Sequence, residues 1–357
     1  MSSARGCVVL LLVATLVSAQ SAPQPVTNAG ASAIDIAELE KNAQAGDPKA
    51  QYALGTAYED GNGVPQNDEL AAQWYRKAAD QGDAAAQNAL GVLYRVGRGV
   101  EKDKQEALRW YQRAAQQGYA SGMFNMGAAY YNGDGVPAND EVACAWFLLA
   151  QDAGSKAGAD AVKRSLAEHS PNWILEIKLR VATMLEAGDG IKADPMAAMA
   201  RYRELAAGDP KVSRVPEEAH LRMAQMYLGG HGLLRDVNSV RQQCEAAANL
   251  KSGRGCFCLG TLNERGDLGP PNYTEALRWY RSAVRYGDDR AMLRLGKLYE
   301  SGQGVKKDDA EALKWYILAL NHRQADAKPE VDALTSRLSK KESEKALREA
   351  REWNRWQ

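Results

Sequence analysis

Residues 47–154 repeat one 36-residue pattern three times, over Asp47–Gly82, Asp83–Gly118 and Tyr119–Gly154. The cores share Leu-Gly-x-x-Tyr (Met in the third copy), then Gly-x-Gly-Val, at fixed offsets: Leu54 to Val64, Leu90 to Val100, Met126 to Val136. Self-similarity at this period indicates stacked supersecondary units, none of which can bury its apolar face alone. A stack of this kind offers a long surface for partners and seldom a deep catalytic cleft.

Each unit reads as two helices. Ala50, Leu54 and Tyr58 are four apart, so they share one face of a first helix running from about Ala50 to Asp60. The trio recurs as Ala86, Leu90, Tyr94 and as Gly122, Met126, Tyr130. Gly55, Gly91 and Gly127 fall mid-helix, where Gly is roughly 1 kcal/mol worse than Ala, so close packing is expected at each. Gly61, Gly97 and Gly133 end the helix through the left-handed conformation. Val64, Val100 and Val136 are expected to tuck back onto the pair. Asn67, Asp103 and Asn139 open the second helix as N-caps, Asp103 with the capping-box spacing to Glu106. Trp74-Tyr75, Trp110-Tyr111 and Trp146-Phe147 follow at one offset, and Gly82 and Gly118 close the helix.

These residues together resemble the Sel1-like repeat, a relative of the tetratricopeptide repeat. The resemblance implies an all-α fold: an α-solenoid, a right-handed superhelix of helix–turn–helix units. It implies protein partners and no cofactor.

The pattern returns downstream. Leu259-Gly260 with Trp279-Tyr280 opens one unit, and Leu295-Gly296 with Trp315-Tyr316 the next, again 36 residues on. Two degenerate units, around Val181–Tyr202 and Met223–Leu233, lack the tryptophan. Between Met126 and Val181 the spacing exceeds one period by 19 residues, and the extra segment, about Ser155 to Ser170, reads as a helix covering an array end. The expected organisation is residues 1–19 as signal peptide and 20–34 as linker. Repeats 1–3 with the extra helix occupy 35–170, repeats 4–7 occupy 171–325, and a capping helix pair occupies 326–357. In that pair Val331, Leu334 and Leu338 form one apolar stripe. Ser339 with Glu342 makes a capping box, and Leu347, Ala350 and Trp353 dock the last helix.

Formal net charge is zero, with 45 basic and 45 acidic residues and no basic stripe interleaved with aromatics, which argues against a nucleic-acid ligand. Arg5, the apolar run Cys7–Val17 and Val17-Ser18-Ala19 read as a cleavable export signal cut before Gln20. The run is too short to span a bilayer, and no later segment reads as a span. The mature chain is therefore expected in the periplasm or outside the cell.

An oxidising compartment makes a disulfide plausible. Cys244 with Cys256 or Cys258 is the candidate, stapling consecutive repeats; Cys258, beside Leu259, is equally a core candidate. Cys144 takes the offset of Leu108 and reads as a small buried apolar residue. No histidine lies near the cysteines in sequence, which disfavours zinc. His169, His220, His231 and His322 fall in different units, and no hydrolase, zinc-protease or phosphate-loop motif is present. Neither a catalytic nor a metal site is expected.

The candidate partner-binding face is the first-helix stripe off the Leu–Tyr line: Glu59, Arg95, Tyr131, Glu264 and Glu300. It is chemically mixed, and an ordinary solvated helix face accounts for it equally well. Tyr131, a large amphipathic side chain, stands out as an anchor. One turn earlier lie Tyr52, Phe124, Leu179, Leu221, Phe257 and Leu293, a greasy groove or inter-repeat core. The sequence favours an exported scaffold or adaptor without catalysis. Two other readings come from the resemblance alone. One is a β-lactam-binding or β-lactam-hydrolysing enzyme like the cysteine-rich relatives, whose regular cysteine pair in each repeat this chain lacks. The other is a structural subunit of an exopolysaccharide export complex.

Overall fold

The computed structural model describes residues 35–230 and 234–353; the expected signal peptide, its cleavage point, the linker and His231 lie outside them. Among the described residues there are eighteen α-helices, one 3-10 turn (Ala325–Ala327) and no strand, so the expected all-α class holds. The chain divides into two compact units. One runs through Ile177 and includes Gly188–Lys192; the other comprises Lys178–Ala187 and continues from Ala193.

In the first unit α1 (Ile36–Gln44) precedes three helix pairs: α2 and α3 (Pro48–Asp60, Asp68–Asp80), α4 and α5 (Ala84–Val96, Lys104–Gln116), and α6 and α7 (Ala120–Asn132, Asp140–Asp152). The extra segment is helix α8 (Lys156–Glu168), capped by Ser155 and packed on α7. Helix α9 (Pro171–Ala187) crosses the division between units. The second unit continues with α10 (Pro195–Ala206), then pairs α11 and α12 (Val215–Gly229, Val237–Asn249), α13 and α14 (Gly253–Arg265, Tyr273–Arg285), and α15 and α16 (Arg290–Ser301, Asp309–Asn321). Two final helices, α17 (Lys328–Arg337) and α18 (Lys340–Trp353), both pack on α16. Each helix packs on the next from α1 to α8 and from α10 to α16, the α-solenoid arrangement.

Local chemistry sets the ends of these helices. Gly97 stops α4 at φ 83°, where a side chain would clash, and its N–H closes on the Leu93 carbonyl. Asn67, Asn139 and Asp308 accept backbone N–H bonds in the first turn of α3, α7 and α16, satisfying donors that have no partner inside the helix. At Asp103 the capping is one-sided. Its carboxylate caps Gln105 and Glu106, while the Glu106 carboxylate pairs with Arg109. Ser339 and Glu342 do form the reciprocal box: the Ser339 N–H donates to Glu342 at 3.0 Å, and the Glu342 N–H to Ser339 Oγ at 3.3 Å.

Within a pair, the mid-helix glycine meets the second-helix ring. A Cβ on Gly55, Gly91, Gly127, Gly260 or Gly296 would come within 2.4–2.7 Å of Tyr75, Tyr111, Phe147, Tyr280 or Tyr316. Those rings are among the most buried in the molecule, Tyr280 and Tyr316 at 0% exposure. Glycine there lowers helix propensity and lets the two helix backbones approach to ring thickness.

Between repeats, the second glycine of the turn presses on the previous second helix; a Cβ on Gly99 would sit 2.0 Å from the Asp68 carbonyl oxygen. A charge pair fixes the same register. Asp68 receives Arg98 at 2.7 Å, and one repeat later Lys104 reaches Asp134 at 2.6 Å, the same two positions with their signs exchanged. Arg98 holds the Asp68 carboxyl below its ordinary range, chiefly through their hydrogen bond. Gln51 and Gln87, both buried, donate to the Ala43 and Ala79 carbonyls, and Gln117 donates to Gln87, so polar side chains link successive repeats through the core.

In the tail, Leu334, Ala346 and Ala350 are buried, while Leu347 is 40% exposed. Ala346 therefore takes the docking place expected of Leu347, because a methyl lets α18 lie closer to α16. Trp353 packs edge-on to Trp315 at 5.3 Å.

Candidate interaction surface

The first-helix glutamates are held by the second helix of their own repeat. Tyr75 Oη donates to Glu59 at 2.7 Å, Tyr316 Oη to Glu300 at 2.8 Å, and Tyr280 Oη to Glu264. Tyr202 Oη does the same to Glu186 at 2.6 Å, a pair that the sequence reading missed. In every case the two residues are 16 apart. A second donor reinforces each pin: Arg98 on Glu59, Arg294 on Glu264, and Arg337 on Glu300. Glu59, Glu264 and Glu300 thus fasten helix pairs together.

The remaining positions obey the same geometry with different chemistry. Phe147, which has no hydroxyl, has Tyr131 sixteen residues before it, and Cys244 has Leu228. Arg95 stands beside Tyr111; burial pushes that phenol up to about 12, and the Arg95 charge opposes the rise. Tyr131 is half-buried and makes its own side-chain interaction. The alternation of partners was visible in the sequence as Glu wherever the second helix has Tyr, except at Arg95.

Burial also raises the phenols of Tyr75, Tyr202, Tyr280 and Tyr316 above the ordinary value of 10.0, and hydrogen bonding to glutamate adds to the rise. An unfolded chain ionises these tyrosines near about pH 10, while the folded chain keeps their protons. Above that pH the folded state binds more protons, so stability present at neutral pH is lost as pH rises. Denaturant midpoints should hold steady to about pH 9–10 and fall steeply beyond, with tyrosinate absorbance appearing together with loss of helical dichroism. Gradual tyrosinate formation in a chain that keeps its helicity would contradict this.

The apolar positions one turn earlier are packing. Tyr52, Phe124 and Phe257 lie against Tyr75, Phe147 and Tyr280 with ring centroids 5.6, 5.5 and 5.6 Å apart. Leu221 is buried, and Leu179 and Leu293 are half-buried.

Cys244 is bonded to Cys258, with Cα atoms 6.1 Å apart, and joins α12 to α13. Of the two partners open in the sequence, Cys258 is the one used, and its reading as a plain core residue is set aside. Cys256 is the free, buried thiol, since helical spacing turns residue 256 away from the face that carries 258. Burial pushes the Cys144 and Cys256 thiols up to about 11, which keeps both protonated and unreactive. His169 stacks on Trp173, His220 meets Gln243, and His322 meets Asp289, each in a local contact. Among the described residues no group of His, Cys, Asp and Glu could hold a metal, and no helix is long and apolar enough to cross a membrane.

The second unit has two open cavities along α14. One, about 680 Å³, is lined by Arg281, Arg285, Tyr299, Glu311, Lys314, Trp315 and Trp353. The other, about 230 Å³, shares Arg281 and Arg285 and adds Arg278 and Trp279. Together they give α14 a net basic face with Trp279 and Trp353 near it, suited to holding a ligand by charge and stacking.

The Sel1 repeat family model matches residues 48–83, 84–119, 120–155, 179–207, 217–239, 254–288 and 289–322. No curated protein matches the chain. Among solved structures the chain is similar to a protective antigen of uropathogenic Escherichia coli strains displaying an SLR fold. That similarity is 31% identity over 88% of this chain and 62% of the antigen's, with a TM-score of 0.45. The chain therefore spans less than two thirds of the antigen's length. It is also similar to a Sel1 repeat protein from Oxalobacter formigenes, at 24% identity over 84% of this chain and 79% of that one, with a TM-score of 0.42. With these seven matched segments covering more than half of its length, the chain belongs to the Sel1-repeat family.

Proposed function

We propose that this protein is an exported scaffold that holds protein partners along its helix pairs, in the periplasm or outside the cell, and catalyses no reaction itself. The observation that carries the reading is the seven-fold Sel1 repeat, because proteins of this repeat family generally mediate protein–protein interaction. The residues that the repeat does not need for its own assembly then supply recognition. Export rests on Arg5, the apolar run that follows and the small residues before Gln20.

The test is crosslinking of the tagged full chain in native cells, followed by purification and mass spectrometry. Reproducible enrichment of one or a few envelope or extracellular proteins, with a mature chain beginning at Gln20, is the expected result. Recovery of the chain only from the cytoplasm, or no enrichment over a tagged control, would overturn the reading. So would nitrocefin turnover or covalent penicillin labelling by the purified mature chain.

A further inference from the structure

We propose that the arginine face of α14 binds an acidic peptide segment of a partner protein. The inference rests on the scaffold reading above and says where and by what chemistry that scaffold recognises its partner.

The seven repeats act as controls on one another. Arg278, Arg281 and Arg285 are spaced i, i+3, i+7, so they lie along one side of α14. At the three equivalent positions of every other second helix there is at most one basic residue: Arg76 in α3, Arg109 in α5, Arg203 in α10, Lys314 in α16, and none in α7 or α12. The fold therefore does not require three. Arg281 has a scaffold role, donating to Tyr299 of the next repeat as Arg203 donates to Tyr227. Arg278 pairs with Glu275 at 2.8 Å, as Arg109 pairs with Glu106. Arg285 is the surplus charge: exposed, and without a hydrogen bond or ion pair among the described residues.

The surroundings favour an anion with an apolar component. Lys314 adds a fourth cation; two carboxylates, Glu275 and Glu311, line the same cavities and offset two of the four, leaving Arg281 and Arg285 as the excess. Glu275 is held by Arg278, and Glu311 by Lys314 and by the Trp315 indole N–H at 2.9 Å. Trp279 and Trp353, both half-buried, offer stacking surface near the arginines, while Tyr299 and Trp315, which also line the larger cavity, are buried. Tryptophan, tyrosine and arginine together are the side chains that dominate binding energy at protein interfaces. Guanidinium groups in a row match successive carboxylates in two-pronged bonds, which ammonium groups cannot form. Residues 1–34, 231–233 and 354–357 contain no Asp or Glu, so none of them supplies the complementary charge. An acidic segment of a partner protein supplies the charge that complements this face.

The probe is a short fluorescein-labelled peptide alternating glutamate with phenylalanine, titrated into the full chain by fluorescence polarisation. Its counterpart has lysine in place of every glutamate. The expected result is saturable binding of the acidic peptide and none of the basic one, weakening steeply with added salt. Arg285→Glu should reduce affinity about tenfold or more, equivalent to ~1.4 kcal/mol. Arg109→Glu, the same charge reversal on the second helix of another repeat, at the position equivalent to Arg278, should leave affinity as it was. Circular dichroism of both variants establishes that they fold. Equal binding of the two peptides, no binding of the acidic one, full affinity in Arg285→Glu, or displacement by tripolyphosphate as effective as by unlabelled peptide would overturn the proposal. Failure here with partners still captured in cells refutes this site alone; failure of that capture refutes the scaffold reading.

Discussion

Truncating Tyr280 to Ala should destabilise the second unit by about 3–5 kcal/mol, the range for removing a buried aromatic ring. The ring is fully buried between Gly260 and Phe257, and nothing on the facing glycine can expand into the space it leaves. Tyr280→Phe should cost only about 1–2 kcal/mol, because it keeps the ring and removes one hydrogen bond to a charged acceptor that Arg294 and water can still serve. The molecule already contains the second situation in repeat three, where Phe147 occupies the site with Tyr131 opposite. Chemical denaturation followed by circular dichroism measures both changes. A cycle adding Glu264→Gln separates the pin from the packing: coupling near zero would mean that tyrosine is there for its ring alone.

Removing the Cys244–Cys258 bridge should cost about 3 kcal/mol. The bond closes a loop of sequence separation 14, and a loop of that size restricts the unfolded chain by roughly this amount. The double variant Cys244→Ala, Cys258→Ala is preferred to serine, because Cys244 is completely buried and a hydroxyl there would add its own penalty. Wild type treated with reductant should match the double variant in midpoint, and reductant should not shift the variant further. A bridge that contributes nothing would leave the oxidised and reduced proteins with the same denaturation curve. Cys256→Ala tests the pairing itself, since it should leave the oxidised mass and the reductant response intact.

Most helix ends could be read from the residues because they obey local rules. Left-handed glycines, capping Asn and Asp, and a four-residue apolar spacing act within one turn, and the structure puts the ends of α2, α4 and α6 within a residue or two of their expected places. The candidate interaction face was less legible. A helix viewed alone puts Glu59 off the buried stripe and so makes it look solvated. Its hydrogen-bond donor lies on the antiparallel neighbour, 16 residues further on. The only trace of that contact in the sequence is the exchange of residues between repeats: Glu opposite Tyr, Tyr131 opposite Phe147, Leu228 opposite Cys244.

The sequence by itself determined the repeat, its two-helix unit and the family, since periodicity and capping are properties of short stretches of chain. Tertiary structure decided which carboxylates fasten helices, which cysteine Cys244 takes, why Ala346 rather than Leu347 meets α16, and which arginine is left over once the scaffold is assembled. Those outcomes depend on distances between atoms on different helices. Helix spacing says which residues share a face; only packing says what that face meets.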